Sequence, residues 1–212
     1  ATTPVCPEAA NTALRYMTEQ FYNPAAAYSP AVSVERDVNA SRARLASYLN
    51  AEQSELIFTS GGTESNNIAP SVFEPFAALK AQGYDVVVVG VDKTGCVRMD
   101  ELSAALTEST GYVSIMHVNN EVGAVNDING IYHLVREKSP SAVFHCDGVQ
   151  AYIKMPAVQC DMYSFSGHKL NAPKGIGGLY VRRGTRFKGG QMGGGQENNL
   201  RSGTTNVPSI MA

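Results

Sequence analysis

The sequence lacks the features that place a protein in a membrane or on nucleic acid. It has no run of about eighteen apolar residues, the length that a helix needs to cross a bilayer. No secretory signal opens it. It has no basic excess, since 17 Lys and Arg stand against 19 Asp and Glu. A chain without a basic face is a poor match for phosphate-rich surfaces, so we expect neither nucleic acid nor membrane among its partners.

Cysteine motifs and a nucleotide loop are missing too. The four cysteines are irregularly spaced, without CxxC or HxxxH, a pattern typical of reduced thiols and of a cytoplasmic protein rather than of a disulfide framework. A zinc site from "HCD" (145–147) and Cys160 is conceivable, but no ligand spacing supports it, so we predict no metal. The GxxxxGK[ST] loop that binds nucleoside triphosphates is also absent.

What is present is an alternation of apolar runs along 212 residues, enough for one large α/β domain. The strands are apolar almost throughout, as expected when helices cover both faces of a parallel sheet. We therefore predict an α/β fold with a mostly parallel, mixed sheet flanked by helices. The predicted helices are 7–21, 31–49, 63–69, 71–83, 99–106 and 127–138, and the predicted strands are 54–60, 84–92, 111–118, 141–147, 160–166 and 177–183.

One defect interrupts this alternation. The predicted helices 63–69 and 71–83 follow each other with no strand between them. A parallel sheet built from βα units should have a strand at that place. The sheet is therefore predicted to be one strand short.

Polar clusters follow four of the predicted strands: "SGGTES", "HVNNEVG", "CDGVQ" and "SGHK". In a sheet of this kind, ligands bind in the crevice outside the carboxyl ends of the strands. We expect the four clusters to share one crevice.

The chemistry of these clusters points to one cofactor. Gly62 and Thr63 open a helix, where free backbone N–H groups bind an anion such as phosphate. Asp147 ends an apolar strand, where it either caps the next turn or pairs with a cationic ring nitrogen. Lys169 is either a solvated loop lysine or one that forms a Schiff base. A reactive lysine, an acid and a phosphate site are together what pyridoxal 5′-phosphate requires.

Five long segments carry a resemblance to a known family. They resemble the cysteine desulfurases, pyridoxal-phosphate enzymes of the class V aminotransferase group with the type I fold, and the similarity covers essentially the whole chain. The segments, in order, are "FTSGGTESNN", "SIMHVNNEVGAV", "FHCDGVQAYIKMP", "DMYSFSGHKLNAPKGIGGLYVRRG" and "GGGQENNLRSGTTNVPSI".

The resemblance implies a role for each matching residue. Lys169 is the lysine that bonds to the cofactor and moves protons at the substrate α-carbon. Asp147 holds the protonated ring nitrogen, Gln150 donates to the phenolic oxygen, and Asn120 contacts the cofactor and positions the substrate.

The resemblance also implies a phosphate site and a homodimer. The phosphate contacts within the subunit are Gly62, Thr63, Ser166 and His168. Thr204 matches a residue that reaches the phosphate of the neighbouring subunit's cofactor, which implies shared sites.

The implied reaction converts L-cysteine into L-alanine. A catalytic cysteine on a mobile loop takes the sulfur as a persulfide and passes it to an iron–sulfur scaffold or another acceptor. That cysteine and the arginine that grips the substrate lie, in the family, in a C-terminal small domain beyond residue 212. None of the four cysteines here replaces it, and we interpret all four as structural.

The sequence departs from the family in two further places. Between "NNIA" and "PSVFEPF" the family has the rest of a helix, a strand and an "EH" pair whose histidine stacks on the cofactor ring. The first strand of the family is absent as well. We thus expect residues 1–212 to be an incomplete large domain, with an N-terminal arm of about residues 1–30, and to be inactive alone.

Two other functions are compatible with these residues. Another class V enzyme, such as a selenocysteine lyase or a small-substrate aminotransferase, would use the same cofactor residues. A non-catalytic remnant that only dimerises would not need the cofactor.

Overall fold

Two helices open the chain in the computed structural model, which describes residues 2–69 and 73–212. Helix α1 spans Pro7–Thr18 and helix α2 spans Ser29–Ser47. Both have proline in the first turn, where its missing N–H costs no helical hydrogen bond. Both helices were predicted, with ends that differ by at most three residues.

The other elements build an α/β layer structure. The strands are β1 (Leu56–Thr59), β2 (Tyr112–Met116), β3 (Val143–Asp147), β4 (Met162–Ser166) and β5 (Gly177–Val181). The helices are α3 (Gly62–Ile68), α4 (Phe73–Ala81), α5 (Met99–Ala105), α6 (Ile128–Lys138) and α7 (Val207–Met211). Part of predicted helix 71–83 lies outside the described residues, at 71 and 72.

The five strands form one mixed sheet in the order β1-β5-β4-β3-β2. Strands β2, β3 and β4 pair in parallel, whereas β5 is antiparallel to both β1 and β4. Four strands thus run in one direction, and their carboxyl ends meet at one edge. The predicted fold class, a mostly parallel sheet flanked by helices, is confirmed.

The predicted strand 84–92 is wrong. Residues 84–90 form no regular element, and only an isolated bridge joins Val91 to Val97. Val87 and Val88 are 60% and 69% exposed, although four consecutive valines were interpreted as a buried strand. A strand needs a neighbour to pair its backbone groups. In the described part of the chain β2 is the outermost strand on its side of the sheet, and residues 84–90 pair with no strand.

Buried apolar side chains dominate the sheet core, and a few polar side chains lie among them. Phe144 and Cys146 of β3 are fully buried, and so is His145 between them. The two ring nitrogens of His145 lie 2.9 Å from Ser114 Oγ on β2 and 2.9 Å from Ser164 Oγ on β4. This histidine therefore links three parallel strands through side-chain hydrogen bonds.

Residues 2–69 and 73–212 contain no helix both long and apolar enough to cross a bilayer. Within the same ranges no three His, Cys, Asp or Glu side chains cluster as metal ligands would. The four cysteines are free thiols: Cys146 and Cys160 are buried, and Cys6 and Cys96 are partly exposed.

Candidate functional site

A cavity of about 600 Å³ lies at the carboxyl ends of the parallel strands. Residues that follow β1, β2, β3 and β4 line it, so the four polar clusters share one crevice as predicted. Eight of the nine predicted site residues are among its walls: Gly62, Thr63, Asn120, Asp147, Gln150, Ser166, His168 and Lys169.

The turn between β1 and α3 forms one wall. Gly61 has φ of +150°, a conformation that other residues rarely adopt. A Cβ on Gly62 would lie 2.6 Å from Val149 Cγ2, so only glycine allows this close approach of the two loops. Ser60 N donates to Glu64 Oε2 at 2.6 Å, which holds the turn against the start of the helix. The backbone of this turn consequently faces the cavity.

Asp147 ends β3 and is 5% exposed. Each carboxylate oxygen accepts a hydrogen bond: Oδ1 from Val149 N at 3.0 Å and Oδ2 from Asn66 Nδ2 at 2.7 Å. Burial raises the pKa of Asp147 above its usual value, and the two hydrogen bonds oppose that rise. The carboxylate is thus fixed in one orientation at the cavity wall.

Lys169 and His168 lie in a 3₁₀ turn, Gly167–Lys169, directly after β4. The Thr3 backbone N–H and hydroxyl both donate to His168 O, at 3.0 and 2.9 Å, and fasten this turn to the start of the chain. His168 Nδ1 is buried without a hydrogen-bond partner in the described residues. Burial, and then the charges of Lys169 and Lys174, lower the pKa of His168.

Asn120 and Gln150 line the cavity from two other loops. The Asn120 side chain is exposed and donates to Glu121 Oε1 at 2.7 Å. Gln150 is half-buried, three residues after Asp147. Both amides therefore line the same cavity as the carboxylate and the lysine.

Thr204 is the one predicted residue that the structure does not bring to this cavity. It is exposed, near the end of a segment that follows β5, residues 189–206. Ion pairs hold this segment to the domain: Arg201 Nε to Glu64 Oε1 at 2.9 Å, and Arg42 Nη1 to Glu197 Oε2 at 2.6 Å. Its predicted role across a dimer stays a prediction.

Asn66 and Lys174 are residues of this site that sequence reasoning missed. Asn66, which bonds to Asp147, stands inside the quoted segment "FTSGGTESNN", but nothing in the sequence connects it to a partner 81 positions away. Lys174 lines the same cavity as Lys169, and the "APKG" loop that carries it gave no indication of this.

A lysine, a buried carboxylate and a glycine turn at the carboxyl ends of this sheet are the arrangement of the type I fold of pyridoxal-phosphate enzymes. The chain belongs to the class V aminotransferases, a family of such enzymes, whose model matches residues 1–78 and 69–212.

Relatives of known name are similar along the whole chain. A cysteine desulfurase of Trichormus azollae is 39% identical over 236 residues, covering 100% of this chain and 58% of the relative. The solved structure of a NifS-like protein has a TM-score of 0.95 at 33% identity, covering 99% of this chain and 65% of that one. SspA in complex with cysteine has a TM-score of 0.93 at 31% identity, with coverage of 99% and 68%. This chain therefore spans 58% of the curated relative.

The matches also locate a break within the chain. The family model matches in two pieces that overlap at residues 69–78, which includes the junction between "NNIA" and "PSVFEPF". The match to the desulfurase extends over 236 residues and this chain has 212, a difference of 24. Both observations support the predicted absence of an internal segment.

Proposed function

We propose that this chain is the pyridoxal-phosphate-binding part of a cysteine desulfurase that acts on L-cysteine. One observation carries the proposal: Lys169, Asp147 and the Gly61–Gly62 turn line a single cavity of about 600 Å³. The name of the relative from Trichormus azollae and the solved complex of SspA with cysteine agree with this activity.

The residues present fit the cofactor. His168 Nδ1 is a buried nitrogen without a hydrogen-bond partner among the described residues, it belongs to a residue that lines the cavity, and a phosphate oxygen would satisfy it. Asp147 is a buried carboxylate whose orientation is set by two donors, as a cationic ring nitrogen requires. Lys169 supplies the amine. Phosphate, ring nitrogen and aldehyde therefore each have a matching group in the cavity.

Each residue has a distinct role in this proposal. Bound pyridoxal phosphate supplies an electron sink for the bonds broken at the substrate α-carbon. Asp147 keeps the ring nitrogen protonated, and Lys169 moves the proton at the α-carbon. Gln150 donates to the phenolic oxygen and Asn120 orients the substrate. The phosphate is held by Gly62, Thr63, Ser166 and His168.

The sulfur needs an acceptor from outside the described residues. None of the four free cysteines lines the cavity in residues 2–69 and 73–212. An acceptor thiolate would become a persulfide and leave L-alanine, and the thiolate form is the reactive one. We therefore propose that this chain binds cofactor and L-cysteine but does not complete sulfur transfer alone. The same proposal includes a small domain that carries the acceptor and a transfer of the sulfur to an iron–sulfur scaffold. It also includes a cytoplasmic location and a homodimer with Thr204 at the shared site.

Visible absorbance tests the cofactor site. The purified chain with pyridoxal phosphate should show a yellow band that borohydride converts into a permanent attachment, located at Lys169 by peptide mass. Lys169→Ala should abolish the band, because the proposal assigns the bond to the Lys169 amine. Exposed Lys154, which does not line the cavity, provides the control Lys154→Ala.

Two results would contradict the proposal. Attachment at Lys174, which lines the same cavity, would reassign the reactive amine. Absence of the band in a chain that is folded by circular dichroism would indicate the non-catalytic remnant instead. If the band forms, a change of the band with L-cysteine but not with other amino acids separates a desulfurase from an aminotransferase. A greater change with L-selenocysteine would indicate a selenocysteine lyase.

A further inference from the structure

Asn66 is the side chain that touches the Asp147 carboxylate from the helix side. It is buried on α3, and its Nδ2 lies 2.7 Å from Asp147 Oδ2. The other carboxylate oxygen accepts from Val149 N at 3.0 Å. Because each oxygen has its own donor, rotation of the carboxylate about its Cβ–Cγ bond would break one or both bonds.

The helix that carries Asn66 is fixed to the sheet. Ser65, its neighbour, is buried, and its hydroxyl lies 2.8 Å from Thr59 Oγ1 and 3.0 Å from Gly178 O. These contacts join α3 to β1 and β5. The amide of Asn66 therefore approaches Asp147 from a rigid support, and the same helix begins at the glycine turn on the phosphate side of the cavity.

We propose that Asn66 is a positioning residue, whose amide holds the Asp147 carboxylate in the orientation that receives the ring nitrogen of the cofactor. This inference rests on the proposed function, because it assumes that pyridoxal phosphate occupies the cavity.

An amide suits this role for a chemical reason. Its N–H donates at every pH and cannot take up a proton, so it favours the ionised carboxylate of a buried Asp147. Burial raises the pKa of Asp147, and removal of the Asn66 donor would raise it further. A neutral carboxyl group could no longer hold a positive charge on the ring nitrogen. The effect of Asn66 on cofactor binding must therefore depend on the ring nitrogen of the cofactor.

Asn66→Leu keeps the approximate size of the side chain and removes the donor. We expect it to weaken pyridoxal-phosphate binding by roughly tenfold to a hundredfold, the usual range for a lost hydrogen bond to a charged group. Fluorescence titration of the folded chain measures the dissociation constant. The cofactor analogue with C–H in place of the ring nitrogen should bind the Leu variant and the unmodified chain equally well.

Asn67 provides a matched control on the next position of the same helix. It is exposed, and its amide donates to Thr63 O at 2.8 Å instead of to Asp147. Asn67→Leu should leave the ratio of the two dissociation constants, pyridoxal phosphate against the analogue, unchanged. If Asn66→Leu weakens both ligands by the same factor, the amide contributes packing only and the proposal is overturned.

A second variant covers the case in which leucine prevents folding. Asn66→Asp has nearly the same shape but places a second carboxyl group beside Asp147. Two carboxylates in contact share a proton at low pH, so the introduced carboxyl group can then donate to Asp147. It loses that proton, and the ability to donate, as the pH rises. Binding should therefore approach that of the unmodified chain at acid pH and weaken more strongly towards alkaline pH. The same loss of binding at every pH would contradict the role.

A measurement without cofactor separates this inference from the proposed function. Carbon NMR of the Asp147 carboxyl group, in the chain free of ligand, should show a higher pKa in Asn66→Leu than in the unmodified chain. If pyridoxal phosphate fails to bind the unmodified chain, the proposed function fails. If it binds and the Asp147 pKa is the same in both chains, only the role of Asn66 is wrong.

Discussion

Gly148 shows how closely single residues are packed behind the site. It follows Asp147, and its carbonyl accepts from the N–H groups of Ala151 and Tyr152, both at 2.8 Å. A Cβ at this position would lie 1.8 Å from Tyr163 Cζ. The Tyr163 ring is buried, so it has no free space into which it could move. Glycine is therefore required next to the Asp147 carboxylate.

Gly148→Ala should lower the free energy of unfolding by at least about 1–3 kcal/mol, because overpacking forces the ring or the turn to shift. Guanidinium denaturation followed by circular dichroism measures this loss. Gly111→Ala is the matched control, since a Cβ there meets no atom within 4 Å. Equal stability of the two variants would show that the turn relaxes without cost.

Residues whose side chains would contact the cofactor could be predicted from the sequence. A residue that contacts only another residue of the site could not. Lys169 and Asp147 stand at strand ends in recognisable segments, and both line the cavity. Asn66 is the opposite case, because it meets Asp147, at the end of β3, only when α3 packs on the sheet. The sequence pattern alone cannot distinguish it from Asn67, which faces away from Asp147.

At the scale of elements, His145 connects the three parallel strands. Complete burial lowers its pKa from 6.5 to about 3, so the ring is neutral between its two serine partners at pH 7. The unfolded chain takes up a proton near pH 6.5, whereas the folded chain resists it. The stability due to the neutral ring is therefore complete above pH 6.5 and is lost as pH falls towards 3.

Between pH 7.5 and pH 5, this single histidine should lower the free energy of unfolding by about 2 kcal/mol. Denaturation curves at both pH values measure the loss. His145→Gln, which has no group that titrates in this range, should remove that part of the pH dependence. His133, exposed on α6, gives the control His133→Gln, which should retain it. The same pH dependence in all three chains would mean that His145 takes up its proton without unfolding.

Helices and strands could be predicted where their own pattern of apolar residues determines the structure. The apolar runs of β3 and β4 and the helical spacing of α6 gave these elements within a few residues, because each buries a face that its sequence already displays. Residues 84–92 have an equally apolar run, yet they form no strand. Pairing with a neighbour decides whether such a run is a strand, and a local pattern does not contain that information.

At the scale of the whole molecule, the order of the strands explains why the site could be anticipated. Four of five strands end at the same edge, so polar residues far apart in sequence meet there. The rule does not apply to Thr204, which was predicted for the neighbouring subunit's site and belongs to a segment outside the sheet. Its position is fixed by the ion pairs of Arg201 and Glu197 instead of by a strand end.

The same view of the whole molecule identifies an exposed apolar surface. Strand β2 is the edge of the sheet in the described part of the chain, and residues 84–91 expose Val87, Val88 and Val91. A run of β-branched residues between Asp85 and Asp92 carries no charge of its own. Such runs pair readily with a second copy, so this surface should limit the solubility of the chain.

Val88→Lys should slow aggregation, since a charge inside the run opposes pairing between copies. The folding stability should change by no more than about 0.5 kcal/mol, because the replaced side chain is 69% exposed. Light scattering at a series of concentrations measures the first effect and denaturation measures the second. Leu14→Lys, at an exposed position of α1, adds the same charge elsewhere. If both variants slow aggregation equally, net charge is the cause and the valine run is not.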